Sequence, residues 1–173
     1  MTAAPRQVAT RIVIVDDHPL FRGALSQALH SSLERAEIIE AGSLDQLTET
    51  LAKTAEIDLI LLDLLLPGVQ GLSGLLYLRA QHPDIPVVVV SATEDPQIIR
   101  RSITFGASGF VPKSQPVEEI RSAVRRVLNG EIWTPPDVDM TVPADAETGD
   151  LLSRLATLTP QQVRVLMMLG EGL

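Results

Sequence analysis

Polar side chains of types that could do chemistry together follow four apolar runs in this 173-residue sequence. The runs RIVIV, LILL, VVVV and GFVP end, respectively, at Asp16-Asp17, Asp63, Ser91 and Lys113. Short apolar runs of this kind are typical of strands covered on both faces of a parallel sheet. In open α/β sheets the reactive crevice lies beyond the carboxyl ends of the strands. We therefore expect three carboxylates, a hydroxyl and an ammonium to converge at one edge of a sheet.

These groups together predict a phosphoryl chemistry. Three close carboxylates repel one another unless a divalent cation lies among them, and oxygen ligands that leave room for water suit Mg²⁺. A metal there would draw one phosphate oxygen, Lys113 would neutralise a second, and Ser91 could donate a hydrogen bond to a third. Asp63 would then be placed to attack phosphorus and form an acyl phosphate.

Each of these residues also has a simpler interpretation. Asp16 or Asp17 could merely cap the following helix. Ser91 could be a turn residue, and Lys113 could be a solvated surface lysine. His18 follows the acid pair, but a solvent-facing helix start is preferred over a metal ligand for this residue. The shared position of the other groups at strand ends favours the chemical roles.

The elements that must position these groups alternate along the chain. Strands are predicted over residues 11–15, 37–40, 59–63, 86–90 and 109–111, and helices near residues 19–29, 43–51, 72–79, 96–105 and 116–128. Right-handed crossovers return each strand to the same direction. The pattern predicts an α/β fold with a doubly wound five-stranded parallel sheet.

Composition and charge bound the remaining possibilities. The chain has no cysteine, which excludes disulfides and thiolate metal sites. Neither a signal peptide nor a membrane-spanning run is apparent in the sequence. A cytoplasmic location is therefore expected. The net charge is −8, and most of the excess negative charge lies in residues 129–153, which hold six acids and no Lys or Arg. We interpret residues 1–128 as one domain, 129–154 as an acidic Pro-containing linker, and 155–173 as the start of a helical domain.

The motifs of the first domain resemble those of the receiver domain of two-component response regulators. The matching features, in order along the chain, are Asp16-Asp17, Asp63 with Pro67 and Gly71 behind it, Ser91-Ala92, the run GASGF at 106–110, and Lys113. The stretches VDDHPLFR, GASGF and PKS further resemble the NarL/FixJ subfamily, which carries a LuxR-type helix-turn-helix. The resemblance covers residues 11–128.

This resemblance implies a flavodoxin-like strand order, 2-1-3-4-5, and a signalling protein rather than an enzyme. Asp63 would accept a phosphoryl group from a histidine kinase. Mg²⁺ would be bound directly by Asp17, indirectly by Asp16, and also by Asp63 and the backbone carbonyl of Leu65. The implied phosphate-binding and switch residues are Ser91, Lys113 and Phe110, with Phe110 turning inward as Ser91 moves toward the phosphoryl group. Phosphorylation would favour a homodimer.

Two positions depart from the broad family. Ser114 follows Lys113 where many receivers have proline, so a cis peptide bond is not predicted there. Leu65, two residues beyond Asp63, is bulky and apolar, and this position influences how fast water removes the phosphoryl group. We therefore hypothesise slow self-dephosphorylation.

The segment 155–173 resembles the opening of a LuxR-type helix-turn-helix. Thr159 would cap a helix with Pro160 at its first position. The sequence stops before the helix that would enter the major groove, so no DNA-binding residue is assigned in this chain. DNA would be contacted only through the missing output domain, and the chain is either a fragment or a shortened regulator acting through protein contacts.

Two other functions remain as alternatives. One is a protein-interaction module with a receiver fold that signals without phosphorylation; the intact Asp16-Asp17, Asp63 and Lys113 argue against it. The other is a phosphatase with an aspartyl nucleophile, which generally needs a second acid two residues later. Position 65 is leucine, which disfavours that enzyme.

Overall fold

The computed structural model describes residues 9–54, 56–69 and 71–141, and these form a parallel sheet between two layers of helices. The elements are β1 Thr10–Val15, α1 Pro19–Ser32, β2 Ala36–Ala41, α2 Leu44–Lys53, β3 Leu59–Leu62, α3 Ser73–Gln81, β4 Val87–Ser91, α4 Pro96–Thr104, β5 Gly109–Pro112 and α5 Val117–Leu128. The strand order is β2-β1-β3-β4-β5. The predicted fold class and strand order are confirmed.

Strand register sets the level at which each strand ends. Val15 of β1 pairs with Leu62 of β3, and Leu62 pairs in turn with Val89 of β4. On the far side of β4, Ser91 pairs with Pro112 of β5. The residues that follow β1, β3 and β5 therefore emerge close together at the carboxyl edge of the sheet.

The core has two halves because successive side chains of a strand point to opposite faces of the sheet. One half packs under α2, α3 and α4, and it includes Val13, Ile60 and Val89. The other half packs under α1 and α5, and it includes Ile14 and Leu61. Burial on both faces explains why the inner strands are continuous apolar runs rather than alternating ones.

Two of the described helices, α2 and α4, begin with a side-chain cap. Ser43 accepts a hydrogen bond from the backbone N–H of Gln46, whose side chain accepts in return from the N–H of Gly42. Asp95 accepts from the N–H of Gln97 at the start of α4. Such caps satisfy backbone donors that have no partner within the helix. Ser43 is therefore the N-cap residue of α2.

The segment after α5 adds to the edge of the sheet. Trp133 forms a parallel bridge with Gly109: its N–H donates to the carbonyl of Ser108 at 3.0 Å, and its carbonyl accepts from the N–H of Phe110 at 3.2 Å. A side chain at Gly109 would come within 3.2 Å of the Trp133 carbonyl, so glycine permits the close approach. Trp133 itself is buried in the half of the core under α1 and α5.

The same segment then reaches α4. Val138 and Met140 pack against the other half of the core, and Arg100 Nε donates to the carbonyl of Asp139 at 2.8 Å. The side chain and backbone N–H of Thr141 hold the pKa of Asp139 below its usual value. The part of the predicted linker up to residue 141 is therefore packed on the sheet and α4.

The predicted helical start at 155–173 and the remainder of the linker lie outside the described residues. Among the described residues, no helix is both long enough and apolar enough to cross a membrane.

Trp133→Ala should lower the free energy of unfolding by about 3–5 kcal/mol, because it removes a large buried side chain and leaves a cavity. Urea denaturation followed by circular dichroism measures this change. The matched control is Ile132→Ala, since Ile132 is 64% exposed while Trp133 is 6% exposed. Ile132→Ala should change stability by less than about 0.5 kcal/mol. Equal effects of the two substitutions would contradict the packing of this segment.

Candidate functional site

The carboxyl edge of the sheet gathers the acidic groups that the sequence places at strand ends. One ligand atom from each of Asp16, Asp17, His18 and Asp63 lies within 4.8 Å of all the others. Asp16 and Asp63 are each only 2% exposed. Two carboxylates buried at this level require a compensating positive charge.

That charge comes from Lys113. Its Nζ lies 2.6 Å from Asp16 Oδ2 and 3.1 Å from Asp63 Oδ2, so one ammonium bridges the two acids. Burial on its own lowers the pKa of Lys113, but the hydrogen bonds and charges of Asp16 and Asp63 together raise it above its usual value. Lys113 is therefore a fixed cation. Its backbone N–H donates to the carbonyl of Ser91 at 2.7 Å, which anchors it to β4.

His18 lies at the exposed start of α1, as the preferred interpretation predicted. Its backbone N–H donates to Asp16 Oδ1 at 2.8 Å, and its Nδ1 lies 3.0 Å from the same oxygen and 3.2 Å from Asp17 Oδ1. Asp16 thus also orders the turn that begins the helix. Asp16 does not cap α1, because the N-cap residue is His18 and no side chain accepts a capping hydrogen bond there.

Asp63 is held by hydrogen bonds of both its backbone and its side chain. Its N–H donates to the carbonyl of Val15, and its Oδ1 accepts from the N–H of Leu65 at 3.1 Å. The side chain of Leu65 is exposed beside the carboxylate. One oxygen of Asp63 is thus committed to the loop, while the other is paired with Lys113.

Ser91 and Phe110 are both fully buried. Ser91 ends β4, and its Oγ has no hydrogen-bond partner among the described residues. A buried hydroxyl without a partner is uncommon and calls for an explanation. Phe110 packs in the half of the core under α2, α3 and α4, so the structure holds its side chain in the inward position.

Three contacts of this edge involve residues that sequence reasoning did not assign to the site. The ring of Phe21 lies under the Lys113 ammonium, with Nζ 4.6 Å from the ring centroid. Arg22 donates to the carbonyl of Asp16. Ser114 donates a hydrogen bond to Glu94, which joins the loops after β5 and β4.

The cluster fits a hard divalent cation. Its acidic ligands are carboxylate oxygens, the type that Mg²⁺ prefers. Asp17 Oδ1 is buried and accepts no hydrogen bond of good geometry from the described residues, although His18 Nδ1 lies 3.2 Å from it, and a cation would give this oxygen a partner. Lys113 shares the oxygens of Asp16 and Asp63, so ammonium and metal would draw on the same two acids.

Comparison with known proteins agrees with this geometry. The family model for the response regulator receiver domain matches residues 12–125. The glycerol metabolism activator of Pseudomonas putida is 38% identical over 168 residues, covering 94% of this chain and 76% of that protein. The DNA-binding transcriptional activator EvgA of Escherichia coli is 31% identical over 165 residues, covering 92% of this chain and 76% of that protein.

Among solved structures, a LuxR family DNA-binding response regulator from Silicibacter pomeroyi superposes with a TM-score of 0.66 at 31% identity. The superposition covers 73% of this chain and 98% of that one. The family match spans more than half of the chain, and the relatives align over nearly all of it. The chain belongs to the response regulators and carries their receiver domain.

Proposed function

We propose that this chain accepts a phosphoryl group on Asp63 from a histidine kinase in the cytoplasm, with Mg²⁺ as cofactor. The phosphorylated receiver would then control a LuxR-type DNA-binding output domain. The observation that carries the proposal is the position of Asp63, whose Oδ2 lies 3.1 Å from the ammonium of Lys113 at the acidic edge. A carboxylate nucleophile beside a fixed cation suits transfer of an anionic group.

In the proposed reaction, an oxygen of Asp63 forms a bond to phosphorus while the bond from phosphorus to the donor breaks. Asp16, Asp17 and Asp63, with the carbonyl of Leu65, would hold Mg²⁺, which supplies charge neutralisation for the phosphoryl oxygens. Lys113 would exchange its hydrogen bond with the Asp63 carboxylate for one with a phosphoryl oxygen.

The buried hydroxyl of Ser91 supports the proposed switch. Its Oγ is without a partner among the described residues, and a phosphoryl oxygen would provide one. The backbone bond from Lys113 to Ser91 couples the ends of β5 and β4. New charge-assisted bonds at this edge would therefore bias a two-state equilibrium of both strands. Phe110 would carry the change onward, since its N–H is bonded to Trp133 of the following segment.

The similar proteins support a role in transcription. One is named a DNA-binding transcriptional activator, and a similar solved structure is a LuxR family DNA-binding response regulator. DNA contact would come from the output domain, and phosphorylation would favour a homodimer. A phosphorylation-independent interaction module is the competing function.

Incubation with acetyl phosphate and Mg²⁺ should add one phosphoryl group to the protein, measured as intact mass. Asp63→Asn should abolish the gain because the nucleophile is lost, and a chelator should suppress it in the wild type. Asp58→Asn is the matched control, since Asp58 is an exposed acid outside the cluster. If the wild type gained no mass, the interaction module would replace the proposed function.

Lys113→Ala should bind Mg²⁺ about tenfold more tightly, or ~1.4 kcal/mol, because the ammonium competes for the oxygens of Asp16 and Asp63. Isothermal titration calorimetry measures the affinity. Lys53→Ala, at the end of α2, controls for the loss of one positive charge. Weaker binding by the Lys113 variant would argue against a shared set of oxygens.

Leu65→Asn should speed loss of the phosphoryl group about tenfold, equivalent to ~1.4 kcal/mol of barrier, because an amide can orient the attacking water that leucine obstructs. The decay of the phosphorylated mass with time measures the lifetime. Ile132→Asn replaces another exposed apolar residue and should leave the lifetime unchanged. A wild-type lifetime of seconds with Mg²⁺ would refute the slow-dephosphorylation hypothesis.

A further inference from the structure

The ring of Phe21 closes one side of the Lys113 ammonium. Nζ lies 4.6 Å from the ring centroid, while the carboxylate oxygens of Asp16 and Asp63 lie 2.6 and 3.1 Å from the same nitrogen. We propose that Phe21 is a positioning residue, which holds the ammonium beside Asp63 for phosphoryl transfer. The inference rests on the proposed function, and it gives a role to a residue of the VDDHPLFR stretch to which the sequence analysis assigned none.

The ammonium has three N–H donors, and they do not all have strong partners. Two are directed to Asp16 and Asp63, and His18 Nδ1 lies at the longer distance of 3.5 Å. The face of an aromatic ring carries negative charge density and attracts a cation within about 6 Å of its centroid. Phe21 therefore supplies attraction in addition to that of the two carboxylates. The Lys113 side chain is only 15% exposed, which strengthens that attraction because water screens it less.

Phe21 is well supported in this place. It lies in the first turn of α1 and packs, half-buried, against the core cluster that contains Leu25 and Leu29 of the same helix. These three residues are spaced four apart and share one helical face. The acid pair immediately precedes this helix, so α1 places the carboxylates and the ring in a fixed relation to each other.

A ring is suited to a lysine that changes partners. In the proposed reaction, Asp16 would turn to Mg²⁺ and Asp63 would become an acyl phosphate, so both hydrogen bonds of the ammonium would be exchanged. The attraction between a cation and a ring face depends less on direction than a hydrogen bond does. Phe21 would therefore hold Lys113 at the edge throughout the exchange. A leucine at position 21 would fill similar space without attracting the charge.

Substitution at position 21 separates attraction from packing. Phe21→Leu should slow phosphorylation by acetyl phosphate about three- to tenfold, the range that loss of a cation–π contact allows. Mono-, di- and trifluorophenylalanine at this position should slow it progressively, since fluorine withdraws charge from the ring face with little change in shape. Phe21→Tyr should be phosphorylated at the wild-type rate. Leu20→Ala, at the exposed neighbouring position, should not change the rate.

If the phosphorylation rate did not change with fluorination and decreased only in variants of lower thermal stability, the positioning role would be overturned and Phe21 would be a packing residue. A second readout does not depend on phosphorylation. The sequence contains two lysines, so isotope labelling of lysine side chains gives separate NMR signals for Lys113 and Lys53. The ring current of Phe21 should shift the Lys113 side-chain protons upfield, and Phe21→Leu should abolish that shift while Lys53 stays constant.

The two readouts test the proposed function and the role of Phe21 separately. A wild type that takes up no phosphoryl group would overturn the proposed function and the role of Phe21 in it, although the ring-current shift would still establish the contact. A wild type that is phosphorylated but whose Lys113 signal is indifferent to Phe21→Leu would overturn the inference alone.

Discussion

Two buried carboxylates that share one ammonium are the constraint on which this edge of the molecule depends. Asp16 and Asp63 are almost completely removed from water, and an unpaired charge in such a place would destabilise the fold by several kcal/mol. Lys113 meets both, at 2.6 and 3.1 Å. The three residues come from the ends of β1, β3 and β5, so their pairing requires that those strands end at the same level. The sheet register is thereby tied to the electrostatics of its edge.

The apolar strands provide that register. Side chains alternate between the two halves of the core, and a slip of one residue would turn every apolar side chain of a strand to the opposite face. The same slip would separate Asp63 from the end of β1. Lys113 has an additional anchor, because its N–H is bonded to the carbonyl of Ser91. Packing of the apolar strands in the interior therefore positions the polar side chains at the edge. Few contacts among those side chains are needed to fix their arrangement.

Much of this arrangement was predictable, and the exceptions have physical reasons. Apolar runs ending in Asp63 and Lys113 predicted both the strands and their convergence, because parallel strands share a carboxyl edge. The packed segment at Trp133 was not predicted, since one aromatic residue among prolines creates no period. Phe21 lies in the predicted helix near residues 19–29, and no role was assigned to it. Its contact with Lys113 joins residues far apart in sequence, and it depends on side-chain placement that no local pattern records.

Two groups at this edge of the sheet are imperfectly matched. Lys113 divides its charge between two acids, and the buried hydroxyl of Ser91 has no partner among the described residues. A buried polar group without a hydrogen bond destabilises its state by about 1–3 kcal/mol. Under the proposed function, a phosphoryl group on Asp63 would satisfy Ser91 and give Lys113 a more highly charged partner. These unmet interactions would raise the free energy of the unphosphorylated conformation and bring it closer to that of the phosphorylated one. Phosphorylation of Asp63 alone could then shift the population between the two conformations.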